Sequence, residues 1–179
     1  IFCNDMNLSQ KRNYGTKISK TEYLMFSDDD DLWDVDKGKQ VFESLKRNLI
    51  VTHDYKKFGN IVNNKKSFLG THNKLINKKT IIYGANIYGG GSSLSANKEV
   101  FTLFQFNENL KYCEDYDWWL RVLSADIKVA YIGKPLVKYR VHDNNMTSHQ
   151  FVIFKYKLIV IKALFVKGFL IIIGSLIGI

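Results

Sequence analysis

Cysteine is scarce in this chain of 179 residues. Cys3 and Cys113 are the only two, and they form neither a C-x-x-C pair nor the spaced set of a disulfide framework. A reducing compartment is the simplest home for such a chain, and Cys113 reads as a buried, inert thiol. Carboxylates are also in short supply, 17 Asp and Glu against 26 Lys and Arg, and the resulting formal charge of +9 favours an anionic partner. Nucleic acid is not supported as that partner, because the basic residues are scattered without the repeated aromatic and glycine pattern of an RNA-recognition module. Three adjacent glycines, Gly89 to Gly91 within YGANIYGGGSSLS, lack the G-x-G-x-x-G spacing, which excludes a dinucleotide fingerprint. They let backbone approach a ligand closely or let a loop move. The sequence opens at Ile1 with neither an initiating methionine nor a recognisable signal peptide, and so reads as part of a longer protein.

What is present is an apolar stretch, Tyr23 to Phe26, running into four consecutive carboxylates, Asp28 to Asp31, and then Leu32 and Trp33. Tyr23 to Phe26 has no helical period and reads as a strand buried on both faces of a parallel sheet. In open α/β sheets, ligands bind beyond the carboxyl ends of such strands. Four neighbouring like charges in a partly dry site call for a cation, and carboxylate oxygens suit a hard divalent ion such as Mg²⁺ or Mn²⁺. Asp28 and Asp30, one position apart, can turn toward the same ion, with Asp31 the next candidate. A solvated turn and a helix-capping region are the plainer readings of the acidic run. A calcium loop of the EF-hand kind fails on spacing, since counting from Asp28 puts Trp33 sixth and Lys39 twelfth, where glycine and glutamate belong.

With an apolar fraction of 46% and an aromatic fraction of 14%, the chain is expected to fold, as one domain with a real core. A helix is expected from about Lys11, although Gly15 interrupts it. A second should run from near Lys37 to near Asn48, with Val41, Phe42, Leu45 and Leu49 on its apolar face. Leu49 to Thr52 reads as a strand, and Tyr55 to Lys79 as a long surface excursion. Glu114 to Ser124 is the strongest helix: Tyr116, Trp119, Leu120 and Leu123 share a face, while Glu114, Asp115 and Asp117 crowd the first turn. The helix dipole keeps acidic groups ionised there. Val129 to Ile132 and Leu136 to Val141 read as two strands around Gly133 and Pro135, the second placing Lys138, Arg140 and His142 on one face.

Three segments stand in a recognisable order: SDDDDLW at Ser27 to Trp33, CEDYDWWLRVL at Cys113 to Leu123, and PLVKYRVHDNNMTS at Pro135 to Ser148, preceded by KRNYG at Lys11 to Gly15. Together they resemble the inverting glycosyltransferases of family 2 type with the GT-A fold. The resemblance implies an α/β, Rossmann-like mixed sheet flanked by helices, truncated at its N-terminus, where the family's first nucleotide-binding units would stand. It implies transfer of a sugar from a nucleotide-sugar donor, a UDP-sugar above all, to an acceptor hydroxyl on a glycan or lipid-linked acceptor, with Mn²⁺ or Mg²⁺ bridging the donor diphosphate. Asp28 and Asp30 match the family's D-x-D, as metal and donor ligands. Asp115 matches the general base, with Glu114 its neighbour. Arg12 matches a basic residue beside the nucleotide, Arg140 lies where diphosphate oxygens would be neutralised, and His142 matches a further metal contact.

The partial catalytic domain is expected over residues 1–148 and an apolar, lysine-containing tail over 149–179. The uncharged end of that tail, Gly168 to Ile179, would extend only about 18 Å as a helix, short of the roughly 30 Å hydrocarbon core. The expectation is therefore an apolar helix lying in the membrane interface, its lysines toward anionic headgroups. The reading that results is a glycosyltransferase at the cytoplasmic face of the cell membrane, building a cell-surface polysaccharide or lipid-linked glycan. The alternatives are a carbohydrate- or calcium-binding module without turnover and a degenerate glycosyltransferase remnant.

Overall fold

The computed structural model describes residues 5–59, 82, 90–142, 145 and 149–177, with side chains as far as residue 165. Cys3, residues 60–79 of the expected surface excursion, and Gly89 lie outside the described residues. The elements run α1 (Leu8–Ile18), β1 (Tyr23–Met25), β2 (Leu32–Trp33), α2 (Lys37–Leu45), β3 (Ile50–Phe58), a 3₁₀ turn (Gly91–Ser93), β4 (Ser95–Asn97), α3 (Lys98–Leu103), α4 (Glu114–Ser124), β5 (Val129–Arg140) and α5 (Gln150–Ile177).

Five strands form one mixed sheet in the order β1-β4-β3-β5-β2. β3 and β5 are parallel, and the other three pairings are antiparallel. Alternation along β3 sends neighbouring residues to opposite cores. Ile50 joins a large cluster with Phe101, Phe106, Tyr116, Trp118 and Trp119, whereas Val51 joins a smaller one with Val41, Leu45 and Leu136 under α2. The sheet is thus covered on both faces, the mixed α/β architecture expected.

β1 departs from expectation. It is a three-residue strand paired antiparallel with β4, and its residues are only half buried. The strand buried on both faces is β3, whose first five residues are all buried. β3 also continues to Phe58, through the start of the expected excursion. The two strands expected around Pro135 are one, β5, with the register stepping from Ile132 to Pro135 to Val137 against β3. A bulge accommodates a proline that cannot donate to the ladder.

α1 starts three residues before Lys11 because Asn7 caps it. The Asn7 side chain accepts from the Gln10 amide at 2.9 Å, and the Gln10 side chain accepts from the Asn7 amide at 2.9 Å, a capping box. Gly15 is carried within the helix, where a Cβ would meet nothing within 4 Å. α2 stops at Leu45, and Phe42 and Leu49 are exposed rather than buried. α4 has the expected bounds, and its Tyr116, Trp118, Trp119, Leu120 and Val122 are all buried. Among the described residues, no helix is long and apolar enough to cross a membrane.

Candidate functional site

The acidic loop leaves the end of β1 and turns back at once, the Asp31 amide donating to the Asp28 carbonyl at 3.3 Å. Beneath it lies Arg12, delivered by α1. That helix buries a polar face, Ser9, Arg12 and Thr16, instead of an apolar one. The Arg12 guanidinium is 6% exposed, lies 5.8 Å from the Phe26 ring centre and 5.2 Å from that of Phe106, and forks between two carboxylates. Nη1 donates to Glu114 Oε1 at 2.8 Å and Nη2 to Asp28 Oδ1 at 3.1 Å. One buried cation therefore ties the acidic loop to the first turn of α4. Arg12, expected beside the nucleotide, has both terminal nitrogens engaged within the protein and braces the loop.

The glycine segment completes this brace. At Gly91 a Cβ would stand 2.1 Å from Arg12 Nη2 and 2.9 Å from Asp28 Oδ1, so only hydrogen fits. The close approach read from the glycine run is thus made to the Arg12–Asp28 pair. Ser92 Oγ accepts from the Asp28 amide at 2.8 Å, and the Ser92 carbonyl accepts from Lys37 Nζ at 2.6 Å. Lys37 is fully buried, with its ammonium 3.7 Å from the centre of the Trp33 ring. Burial pulls its pKa down to about 7 against the opposing pull of Asp31 and Asp28.

On the other side of the loop, the end of β5 and the residues just after it supply the partners. His142 Nε2 and Asp30 Oδ2 are 3.0 Å apart. The Arg140 amide donates to Asp31 Oδ1 at 2.9 Å, and Arg140 Nε donates to the Asp30 carbonyl at 2.8 Å. Burial raises the Asp31 carboxyl above its ordinary value, with the Arg140 amide pulling the other way. Asp31 thus anchors the loop to β5, while Asp30 and His142 remain a third exposed or slightly more.

Asp115 is half buried in the first turn of α4 beside Glu114, and its Oδ1 accepts from the Tyr116 amide at 2.7 Å. The turn is launched by Cys113 at φ 62°, ψ 28°, a left-handed conformation that costs a non-glycine residue about 1–2 kcal/mol. Such strain gathers where a turn must aim particular side chains. Cys113 itself is buried, its thiol pushed up to about 12 by burial, which fits an inert thiol.

Of the expected site residues, the structure brings Arg12, Asp28 and Glu114 into one cluster and Asp30, Arg140 and His142 into another, joined through the loop. Among the described residues, no three His, Cys, Asp or Glu side chains converge as a ready metal cage. Asp30 and His142 offer one carboxylate oxygen and one imidazole nitrogen to the same point. That fits a divalent ion that takes nitrogen as well as oxygen, Mn²⁺ better than Mg²⁺, completed by substrate phosphates and water. Asp28 fits direct ligation less well, because Arg12 holds its Oδ1. Lys37 and Ser92 were not legible as site residues, since each acts through a contact with a residue far along the chain. A separate cleft of about 510 Å³ is lined by residues of α1 and α3, including Gln10, Asn13, Lys17 and Lys98.

No family model matches the chain, and no curated protein matches it. Solved structures do. S. aureus TarS 1–349 in complex with UDP-GlcNAc superposes with a TM-score of 0.60 at 15% identity, covering 80% of this chain and 41% of that one. The complex with UDP gives 0.58 at 15% identity, over 80% of this chain and 43% of that one. TarS 1–349 itself gives 0.58 at 16% identity, over 78% and 42%. The fold is the GT-A-like α/β fold that these structures share. The chain spans about two-fifths of the length of TarS 1–349.

Proposed function

We propose that the protein containing this chain transfers a sugar, with inversion, from a nucleotide-sugar donor to an acceptor hydroxyl, in a reaction that requires Mn²⁺ or Mg²⁺. The observation that carries the reading is the pair of clusters held by one acidic loop: Asp30 with His142 on one side, and Asp28 braced through Arg12 to the first turn of α4 on the other. The fold supports a glycosyltransferase, and the similar TarS structures contain UDP and UDP-GlcNAc, which supports a UDP-sugar donor.

Asp30 and His142 would hold the divalent ion. When bound, the ion supplies Lewis-acid stabilisation of charge on the leaving diphosphate. Arg140, held by its contacts to Asp30 and Asp31, would neutralise further phosphate charge. Asp28 keeps the loop in register through Ser92 and Arg12. Asp115, at a helix N-terminus that favours its ionised form, takes the proton of the acceptor hydroxyl as the new bond forms. Glu114 orients that turn through its bond to Arg12. The acceptor is a glycan or lipid-linked glycan at the cytoplasmic face of a membrane.

The test uses the complete protein, Mn²⁺ and a panel of nucleotide sugars. Asp30→Ala and Asp115→Asn are each expected to reduce transfer by about 100-fold or more. Only Asp30→Ala should abolish metal-dependent donor binding, and NMR of the product should show an inverted anomeric centre. Unchanged turnover in both variants would overturn the assignment.

A further inference from the structure

α5 has two unlike faces. Ile153, Tyr156, Val160, Ile161 and Leu164 pack into the larger core. The opposite face carries Phe151, Phe154, Leu158, Ile159 and Phe165, each half exposed or more. At 100° per residue, Phe151, Phe154, Lys155, Leu158, Lys162 and Phe165 fall within about 100° of arc. A helix face meeting only water would not be built from three phenylalanines and two branched aliphatics over four turns.

We infer that this outward face of α5 is a docking surface for an anionic lipid bilayer. Charge selects that occupant. From Gln150 to the end of the sequence there are four lysines, Lys155, Lys157, Lys162 and Lys167, and no Asp or Glu, in a chain of formal charge +9. Lys155 and Lys162 are both exposed and stand among the apolar residues, and Lys155 Nζ lies 4.7 Å from the centre of the Phe151 ring. Aromatic rings and lysine stems suit the headgroup level, where the stem is buried against acyl chains and the ammonium reaches a phosphate. The inner face stays in the protein core, so the helix docks without detaching, and the domain sits directly on the bilayer. This docking stands independently of the sugar-transfer reading.

Flotation of the intact chain with vesicles tests it. Binding is expected to phosphatidylcholine vesicles containing phosphatidylglycerol, to be weak with phosphatidylcholine alone, and to fall with added salt. Lys155→Glu/Lys162→Glu should lower partitioning by about 30-fold or more, whereas Lys20→Glu/Lys128→Glu, with the same change in net charge, should stay within about threefold. Phe151→Ser/Phe154→Ser should weaken binding by about tenfold or more. All these positions except part-packed stems are surface sites, and circular dichroism of each variant checks that the fold is kept. Equal binding to both kinds of vesicle, or indifference to Lys155→Glu/Lys162→Glu, would overturn the proposal. So would a lipid-free dimer, seen by sedimentation, that the phenylalanine substitutions dissolve, which would assign the face to a second copy of the chain.

Discussion

Single residues set the shape of the acidic loop, and Gly91 shows how tightly. Any side chain there must displace the Arg12 guanidinium from Asp28, and Arg12 cannot retreat freely because Phe26 and Phe106 flank it and Glu114 holds its other nitrogen. Gly91→Ala is expected to lower stability by about 1–3 kcal/mol, as overpacking of a filled site does. Gly38→Ala, where a Cβ meets nothing within 4 Å in α2, should be neutral or stabilising by up to about 1 kcal/mol. Urea unfolding of the two variants measures the contrast, and equal midpoints would show that the loop yields around Arg12. The carboxylates of this site were legible in the sequence because Asp28 to Asp31 and Glu114–Asp115 stand together along the chain. Of the groups that fix their geometry, the glycine run marked a close backbone approach but not its target, and Ser92 is far in sequence from both Asp28 and Lys37, with nothing local to mark those contacts.

Elements were legible where burial follows a simple period, and were misread where it does not. α4 could be bounded because its buried residues are large and apolar on every turn. α1 buries Ser9, Arg12 and Thr16, so its inner face looked like a polar run. β1 looked like an interior strand because it is wholly apolar, yet its place at the end of the described strand order leaves it half buried. α2 opens on a residue that would ordinarily be solvent-facing, and its burial has a measurable consequence. With a folded pKa of about 7 against an ordinary 10.5, Lys37 loses its proton in the folded chain while the unfolded chain still holds it. Between those two values the unfolded state binds more protons, so stability rises with pH. Relative to Lys37→Met, the wild type should gain up to about 1.4 kcal/mol per pH unit above pH 7 in urea unfolding. Asp28 and Asp31, the charged groups facing it, are common to both proteins. A pH-independent difference would mean that Lys37 keeps its charge under Trp33.

At the scale of the whole molecule, the described part of the apolar tail packs against the preceding α/β unit. Val160 is 4% exposed in the same core as Trp118 and Trp119, the Tyr156 ring packs edge-on 5.3 Å from Tyr112, and Cys113 Sγ reaches the Ile153 carbonyl at 3.6 Å. These contacts join α5 to the segment that launches Glu114 and Asp115, so losing the helix should disturb the α4 turn as well as the core. A chain ending at Ser148 would forfeit the burial of five apolar side chains. That is expected to lower stability by about 5 kcal/mol or more, a large share of the 5–15 kcal/mol typical of a domain. Phe154→Ser, on the outward face, should change stability in lipid-free buffer by less than about 0.5 kcal/mol. If thermal melting gave the shortened chain the same midpoint as the full one, α5 would be shown to contribute nothing to the fold, and the turn carrying Asp115 would have to be held by α4 and the acidic loop alone.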